Sequence, residues 1–276
     1  MASGVAGANI ERFLIYPKQK SKKIVSYLRA VKPLLMLLAI DVGNTRIKYA
    51  VFEGDTVVGF AFFATSDMKW HAENILRSHP EITDIVVASV GDLDREAFLW
   101  GKKLHFVSHQ DRFPFDNRYA TPTTLGIDRM VLASGAVLRF PGQNRLVIDA
   151  GTCITYDFVN DSDQYLGGAI SPGIRLRYEA MHRYTAKLPL LERTQPRDMI
   201  GSSTAESIHS GVVNGVIGEI DGFIDRYRAQ HSNFIIILTG GDAEFLAGSL
   251  KNTIFAHSNF LLESLNQTFQ YQIKND

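Results

Sequence analysis

Two stretches of this chain share one rhythm of apolar and polar positions. Leu34 to Ile40 and Leu146 to Ile148 are unbroken apolar runs that read as buried strands. Each runs into an aspartate and a glycine, as Asp41-Val42-Gly43-Asn44-Thr45 and Asp149-Ala150-Gly151-Thr152, and then into a second, alternating stretch. With a one-residue gap after the glycine, Thr45 aligns with Thr152, Ile47 with Ile154, Tyr49 with Tyr156 and Val51 with Phe158. Polar turns at Glu53-Gly54-Asp55 and Asn160-Asp161-Ser162-Asp163 suit the reversal of an antiparallel ribbon. The pattern therefore predicts one hairpin unit used twice.

Elsewhere strands and helices alternate in the α/β manner. Strands are expected at Gly59 to Ala64, Ile85 to Ser89, Leu104 to Val107 and Phe234 to Leu238, and helices near Met68 to Ser78 and Asp94 to Lys102. Helical apolar spacing runs from Asp128 to Phe140, where Pro141-Gly142 stops it. Further helices are expected from Ile174 to about Tyr184 and from about Thr204 to Ala229. Glycines 211, 215, 218 and 222 punctuate the last of these, a spacing that serves either an interface or internal packing. Phe223 and Tyr227 on the same helix, like Phe60, Phe62 and Phe63 on a strand, read as packing residues.

The chain has 276 residues, which fits two similar lobes sharing a cleft, read here as residues 36–144 and 145–276. Residues 1–35 stand apart: seven Lys or Arg against one Glu give them a net charge of +6, while the whole chain is neutral. Met36 directly precedes the first strand, so the basic leader is read as an extension outside the fold. Balanced charge, 29 basic and 29 acidic side chains, argues against nucleic acid as a partner. No apolar run is long enough for a transmembrane helix. The single cysteine, Cys153, rules out an internal disulfide and a Cys-rich zinc site, and a reducing cytoplasm is the expected setting. The eight histidines are read as ordinary structural or exposed residues and not as metal ligands.

Candidate chemistry follows the repeat. Glycine lets a backbone turn bring N–H groups against phosphate oxygens, threonine adds a hydroxyl, and a carboxylate holds a cation that neutralises phosphate charge. Two such loops in matching context point to a nucleotide cleft. Thr239-Gly240-Gly241-Asp242, after a strand and before a helix, reads either as a nucleotide contact or as a structural turn. In Gly126-Ile127-Asp128-Arg129 the pair at a helix start is either a cap with a surface ion pair, or a proton acceptor beside a guanidinium that binds an acid group.

Together with Gly167-Gly168-Ala169-Ile170-Ser171-Pro172-Gly173, these motifs occur in an order that resembles the type III pantothenate kinases, of the acetate and sugar kinase, heat-shock ATPase and actin superfamily. The resemblance spans Met36 to about Leu265. It implies an α/β fold of two ribonuclease-H-like lobes about a central cleft, a homodimer, and ATP-dependent phosphorylation of pantothenate at its primary alcohol, the first step towards coenzyme A. Carried over by position, Asp41, Val42, Gly43, Asn44, Thr45, Arg46, Ile47 and Lys48 would form the first ATP loop, with Asp41 near a divalent ion such as Mg2+. Thr152 would also contact ATP, and Asp149 would hold the monovalent cation, K+ or NH4+. Asp128 would be the proton acceptor, with Tyr119, Gly126, Ile127 and Arg129 lining the pantothenate pocket. Thr204 matches a substrate-contacting threonine that the partner subunit supplies. Cys153 departs from the alanine of many relatives, a small-for-small change that adds a site of oxidation. Two other readings remain: a kinase of the same superfamily acting on another small acid or sugar, and a non-catalytic regulator, against which the neutral body and the lack of a helix-turn-helix segment argue.

Overall fold

The computed structural model describes residues 35–43, 46–64, 67–89, 98 and 100–275. The basic leader up to residue 34, Asn44 and Thr45 of the first loop, and most of the helix expected over Asp94 to Lys102 lie outside these residues. The described end of that segment, Trp100 to Lys102, is bent and not helical.

The chain opens with β1 (Met36–Val42), β2 (Ile47–Glu53), β3 (Thr56–Phe63), α1 (Met68–Ser78), β4 (Asp84–Ser89) and β5 (Lys103–Phe106). A short β6 (Asp116–Asn117) and a 3-10 turn lead to α2 (Ile127–Arg139). Then come β7 (Asn144–Ala150), β8 (Cys153–Val159), β9 (Gln164–Pro172) and α3 (Ile174–Arg183). After a long loop follow α4 (Thr204–His209), a π-helical turn (Ser210–Asn214) and α5 (Gly215–Gln230), then β10 (Phe234–Thr239), α6 (Ala243–Ala247), β11 (Phe255–Ala256) and α7 (Phe260–Asn275).

The duplication is explicit in the pairing. One sheet has the order β3-β2-β1-β4-β5 and the other β11-β10-β7-β8-β9-β6, so β9-β8-β7-β10-β11 repeats the first sheet strand for strand. In both, the first two pairings are antiparallel and the next two parallel. The register agrees as well: Ile40 faces Tyr49 as Ile148 faces Tyr156, and Val42 faces Ile47 as Ala150 faces Ile154. The alignment of the two hairpins in the sequence is thus reproduced as equal backbone pairing. β3 starts at Thr56, earlier than its apolar pattern indicates, because the ladder with β2 runs back to the turn through a bulge at Val51/Phe52 while Val57 and Val58 stay exposed.

Strand parity explains why the central strands are apolar on both faces over most of their length. Leu38, Ile40 and Val42 of β1 pack outward with Ile75 of α1, while Leu37 and Ala39 face a middle layer made of α2 and α7. On β7, Val147 faces the same middle layer, and Leu146, Ile148 and Ala150 pack outward under the α3, α4 and α5 segments. The two sheets therefore share α2 and α7. These helices meet where bulk is least: a Cβ on Gly135 would overlap Ser264, and the Thr268 hydroxyl bonds to Ser134 Oγ at 2.7 Å. The expected long helix is present but contains the π turn, where Ser210 Oγ donates to the Met199 carbonyl. Phe223 stacks on Tyr156 with ring centroids 4.2 Å apart and Tyr227 on Phe158 at 5.2 Å, so both belong to the outer core.

Candidate active site

The parity that sends Leu37 and Ala39 inward sends Asp41 inward too, and the same count on β7 sends Asp149 inward. Both aspartates lie at the carboxyl ends of central strands, where open α/β sheets place their ligands. Across the ladders, Asp41 faces Lys48 on β2, and Asp149 faces Thr155 on β8 and Thr239 on β10. The middle layer brings the first turn of α2, with Asp128, to the same ends. Burial drives the Asp41 carboxyl up to about 7, with Lys48 opposing and Asp149 and Asp128 adding to the rise. Burial likewise lifts Asp149 to about 6, against Lys48, with Asp128 and Asp157 contributing. Asp128 is raised by burial despite the hydrogen bond from the Arg129 N–H and the Arg129 charge. Three carboxylates thus feel one another in a cleft with one nearby lysine, a place that calls for further positive charge.

Each supporting turn is shaped by a glycine. At Gly126, the N-cap of α2, a side chain would collide with the Asp128 carboxylate, whose Oδ1 accepts the Arg129 N–H at 2.8 Å. Gly240, at φ +94°, lies against the Asp149 carboxylate and the Ala150 carbonyl, and Asp242 N–H donates to that carbonyl at 3.0 Å. The Thr239-Gly240-Gly241-Asp242 segment is therefore a tight turn closing directly onto Asp149, and Arg193 pairs with Asp242 behind it. The second loop is backed by Gly173, whose N–H bonds the Thr152 carbonyl at 3.0 Å. The adjoining Ser171 Oγ donates to Glu219, which Arg177 also holds.

Of the expected residues, Asp41, Val42 and Ile47 are buried, Gly43 N–H closes the first loop onto the Arg46 carbonyl at 3.2 Å, and Lys48 is partly buried. Arg46 is exposed, with its guanidinium 5.2 Å from the Phe62 ring centre. Thr152 is exposed on the second loop. Ile127 is buried in the middle-layer core. Tyr119 lies against Gly167, with the Arg129 guanidinium 5.8 Å from its ring centre. Thr204 is exposed and begins α4, on the outer face of the second sheet, so within one chain that sheet separates it from Asp128.

Arg129 is only 5 % exposed, and its Nε donates to Asp157 Oδ1 at 2.8 Å, with Nη2 at 2.7 Å from the same oxygen. Burial opposes its charge, but Asp157 prevails and the guanidinium stays protonated. Asp157 is a functional candidate that the motifs did not single out. Its signal was a carboxylate in the middle of the apolar β8. In the Thr239-Gly240-Gly241-Asp242 segment, already a candidate, the Thr239 hydroxyl is buried, in register with Asp149 and without a hydrogen-bond partner.

Among the described residues no three His, Cys, Asp or Glu side chains form a metal cluster. The donors present still fit hard cations of the kind that complete their shells with phosphate and water: a buried carboxylate at Asp41, a partly buried one at Asp149, and beside Asp149 the Ala150 carbonyl and the unpartnered Thr239 hydroxyl.

Two like-ordered sheets about a shared helical layer, with acidic strand ends facing a cleft, define the actin-like ATPase and sugar-kinase class of fold. A Campylobacter jejuni protein described as a Baf family transcriptional activator superposes with a TM-score of 0.57 at 21% identity, over 86% of this chain and 99% of that one. The activator of the 2-hydroxyisocaproyl-CoA dehydratase from Clostridium difficile, solved with bound ADPNP, gives 0.50 at 11% identity, over 87% and 95% of the two chains. At these identities the likeness is one of fold. The sequence profile of the type III pantothenate kinases matches residues 37–226. The type III pantothenate kinase of Flavobacterium johnsoniae is 65% identical over 87% of this chain and 100% of its own, and that of Flavobacterium psychrophilum 61% over 86% and 100%. The chain belongs to the type III pantothenate kinase family.

Proposed function

We propose that this kinase transfers the γ-phosphoryl group of ATP to the primary alcohol of pantothenate, the first step towards coenzyme A, with Asp128 as proton acceptor. The observation that carries the reading is the first turn of α2, which sets a partly buried Asp128 carboxylate, its pKa raised, beside Asp41 and Asp149. The pantothenate oxygen attacks phosphorus as the bond to the ADP oxygen breaks, and the hydroxyl proton passes to Asp128. Lys48 and the N–H groups of the first loop, Asp41 to Lys48, meet the phosphates, with Thr152 contacting ATP from the second loop. A divalent ion at Asp41 and a potassium or ammonium ion at Asp149 would spread the charge of the transferring group. Tyr119, Gly126, Ile127 and Arg129 form the acceptor pocket. Because Asp157 already takes the Nε edge of Arg129, the guanidinium meets the acid group of the substrate end-on.

A homodimer completes this reading. Thr204 lies on the far side of the second sheet from Asp128, so it reaches substrate only in the partner's cleft. No atom lies within 4 Å of where a Cβ would stand on Gly211, Gly215, Gly218 or Gly222, which leaves that helix face open to close approach by a second copy. Met199 and Ile200 nearby are 75% and 86% exposed. The lobe limits 36–144 and 145–276 are part of the proposal, as each segment holds one complete core hairpin. No helix among the described residues is long and apolar enough to cross a membrane, and a cytoplasmic setting agrees with the unpaired Cys153.

The test is phosphorylation of pantothenate by the wild type and by Asp128→Asn, with potassium or sodium as the sole monovalent cation. Turnover that requires potassium and falls on the order of 100-fold or more in the variant is expected. Turnover retained in a folded Asp128→Asn protein would remove Asp128 as the base. Turnover on other small acids or sugars in place of pantothenate would leave the fold and change the substrate.

A further inference from the structure

Asp157 is buried to 0% exposure in the middle of β8, with its Oδ1 facing the Arg129 guanidinium and its Oδ2 without a hydrogen-bond partner. Its Oδ1 receives Arg129 Nε at 2.8 Å and also the Tyr165 hydroxyl at 2.5 Å. Gly168, its register partner on β9, is the residue whose missing side chain leaves room: a Cβ there would strike the Tyr156 carbonyl and stand 3.1 Å from Arg129 Nη2. Tyr119 closes the other side, its ring 6.1 Å from that of Tyr165 and against Gly167, which at φ +111° turns the backbone out of its way. An arginine on the first turn of a helix would ordinarily sweep a wide volume. Here Asp157 of β8, Gly168 of β9 and the ring of Tyr119 on the preceding loop lie against it.

We propose that Asp157 is a positioning residue for the acceptor pocket, fixing the Arg129 guanidinium through its Nε–Nη2 edge with Tyr165 as a brace, so that the remaining end of Arg129 recognises the carboxylate of the acceptor substrate. This rests on the reading of Arg129 as a pocket residue. A free arginine loses rotamer entropy when it binds a carboxylate, and one already locked loses little. Asp157 also balances the arginine charge inside the protein, so the pocket stays intact when no substrate is bound. The Asp128 carboxylate, which accepts the Arg129 backbone N–H, shares the same turn, so the brace also holds the reacting end of the pocket in place.

The test compares steady-state kinetics of Tyr165→Phe, Asp157→Asn, Arg129→Gln and the double variant Asp157→Asn/Arg129→Gln. KM for pantothenate is expected to rise about tenfold or more in Asp157→Asn and two- to fivefold in Tyr165→Phe, with KM for ATP unchanged and kcat falling less than KM rises. The double variant should match Arg129→Gln alone, because Asp157 acts only through Arg129. Should Asp157→Asn fail to fold, Tyr165→Phe carries the test, since it removes one hydroxyl and leaves the ion pair. The proposal is overturned if folded Tyr165→Phe and Asp157→Asn keep the wild-type KM for pantothenate while Arg129→Gln raises it. Equal effects on both substrates, or additive effects in the double variant, overturn it too, as they mark a purely structural residue. If Arg129→Gln itself leaves KM for pantothenate unchanged, the acceptor-pocket reading of Arg129 fails first, and that result is distinct from the others.

Discussion

The two phosphate-loop hairpins, β1–β2 and β7–β8, have the same pairing and the same register, yet their inward faces carry different side chains, among them the residues opposite the two aspartates. Opposite Asp41 stands Lys48; opposite Asp149 stands Thr155, with Thr239 on the other flank. Duplication kept the parts that determine backbone geometry, namely the apolar alternation and the turn, and let the chemistry at the strand ends diverge. A carboxylate facing an ammonium suits a polyanion together with its divalent ion. On the proposed reading, the one flanked by hydroxyls and carbonyls holds the monovalent cation. The scaffold is symmetric and the function is not.

Removing the asymmetry should have the largest effect. Lys48→Met, which makes the first hairpin as uncharged as the second at this position, should lower kcat on the order of 100-fold or more by taking a fixed cation from the transferring phosphoryl group. Steady-state assays at saturating ATP and pantothenate check this, and near-wild-type turnover would mean that Lys48 does not face the phosphates. Asp149→Asn should cost less turnover, but it should erase the difference between potassium and sodium as sole monovalent cation; a persisting potassium requirement would move the cation elsewhere.

Stability should respond in the opposite sense. The folded-state pKa of Asp41 is raised from 3.8 to about 7, so the folded protein holds a proton that the unfolded chain releases. Below 3.8 both states are protonated. Stability of the cation-free protein therefore falls as pH rises from near 4 through about 7. Asp41→Asn should escape this loss, melting roughly ten degrees above wild type at pH 8, the shift expected for about 4 kcal/mol in a protein of this size, and close to it near pH 4. A melting difference that does not vary with pH would contradict the burial of that carboxylate. The smallest effect is backbone strain. Gly240→Ala, forced to φ +94° against Asp149, should destabilise by about 1–3 kcal/mol, and Gly43→Ala by less than about 1 kcal/mol, since among the described residues a Cβ there meets the Arg46 carbonyl alone, at 3.3 Å. Denaturant titration of both variants compares the two loops directly.

Much of the candidate site was legible because its signals are local. Asp41, Asp149 and Asp128 each sit beside a glycine at an element boundary, and the apolar alternation on either side gives the strands and helix that carry them. Asp157 and Thr155 were not legible in the same way. Nothing flanking Asp157 marks it, since Tyr156 and Phe158 belong to the outer core, and its importance appears only when β8 is laid beside β7 and β9. Arg129 was readable as a substrate-facing group, but its pairing with Asp157 joins residues that no local pattern connects. The glycines of the long helix left two readings open, and the empty space around them decided against packing within the chain.

The sequence by itself determined the repeated hairpin, the strand–helix alternation and the acidic strand ends, because apolar periodicity and turn chemistry act over a few neighbouring residues. Only the tertiary structure decided that α2 and α7 lie between the two sheets, that Lys48 and Thr239 flank different aspartates, and that Thr204 faces away from its own cleft. Those outcomes depend on which faces are buried together across the whole chain, and the free energy of burial is shared among residues that the sequence keeps far apart.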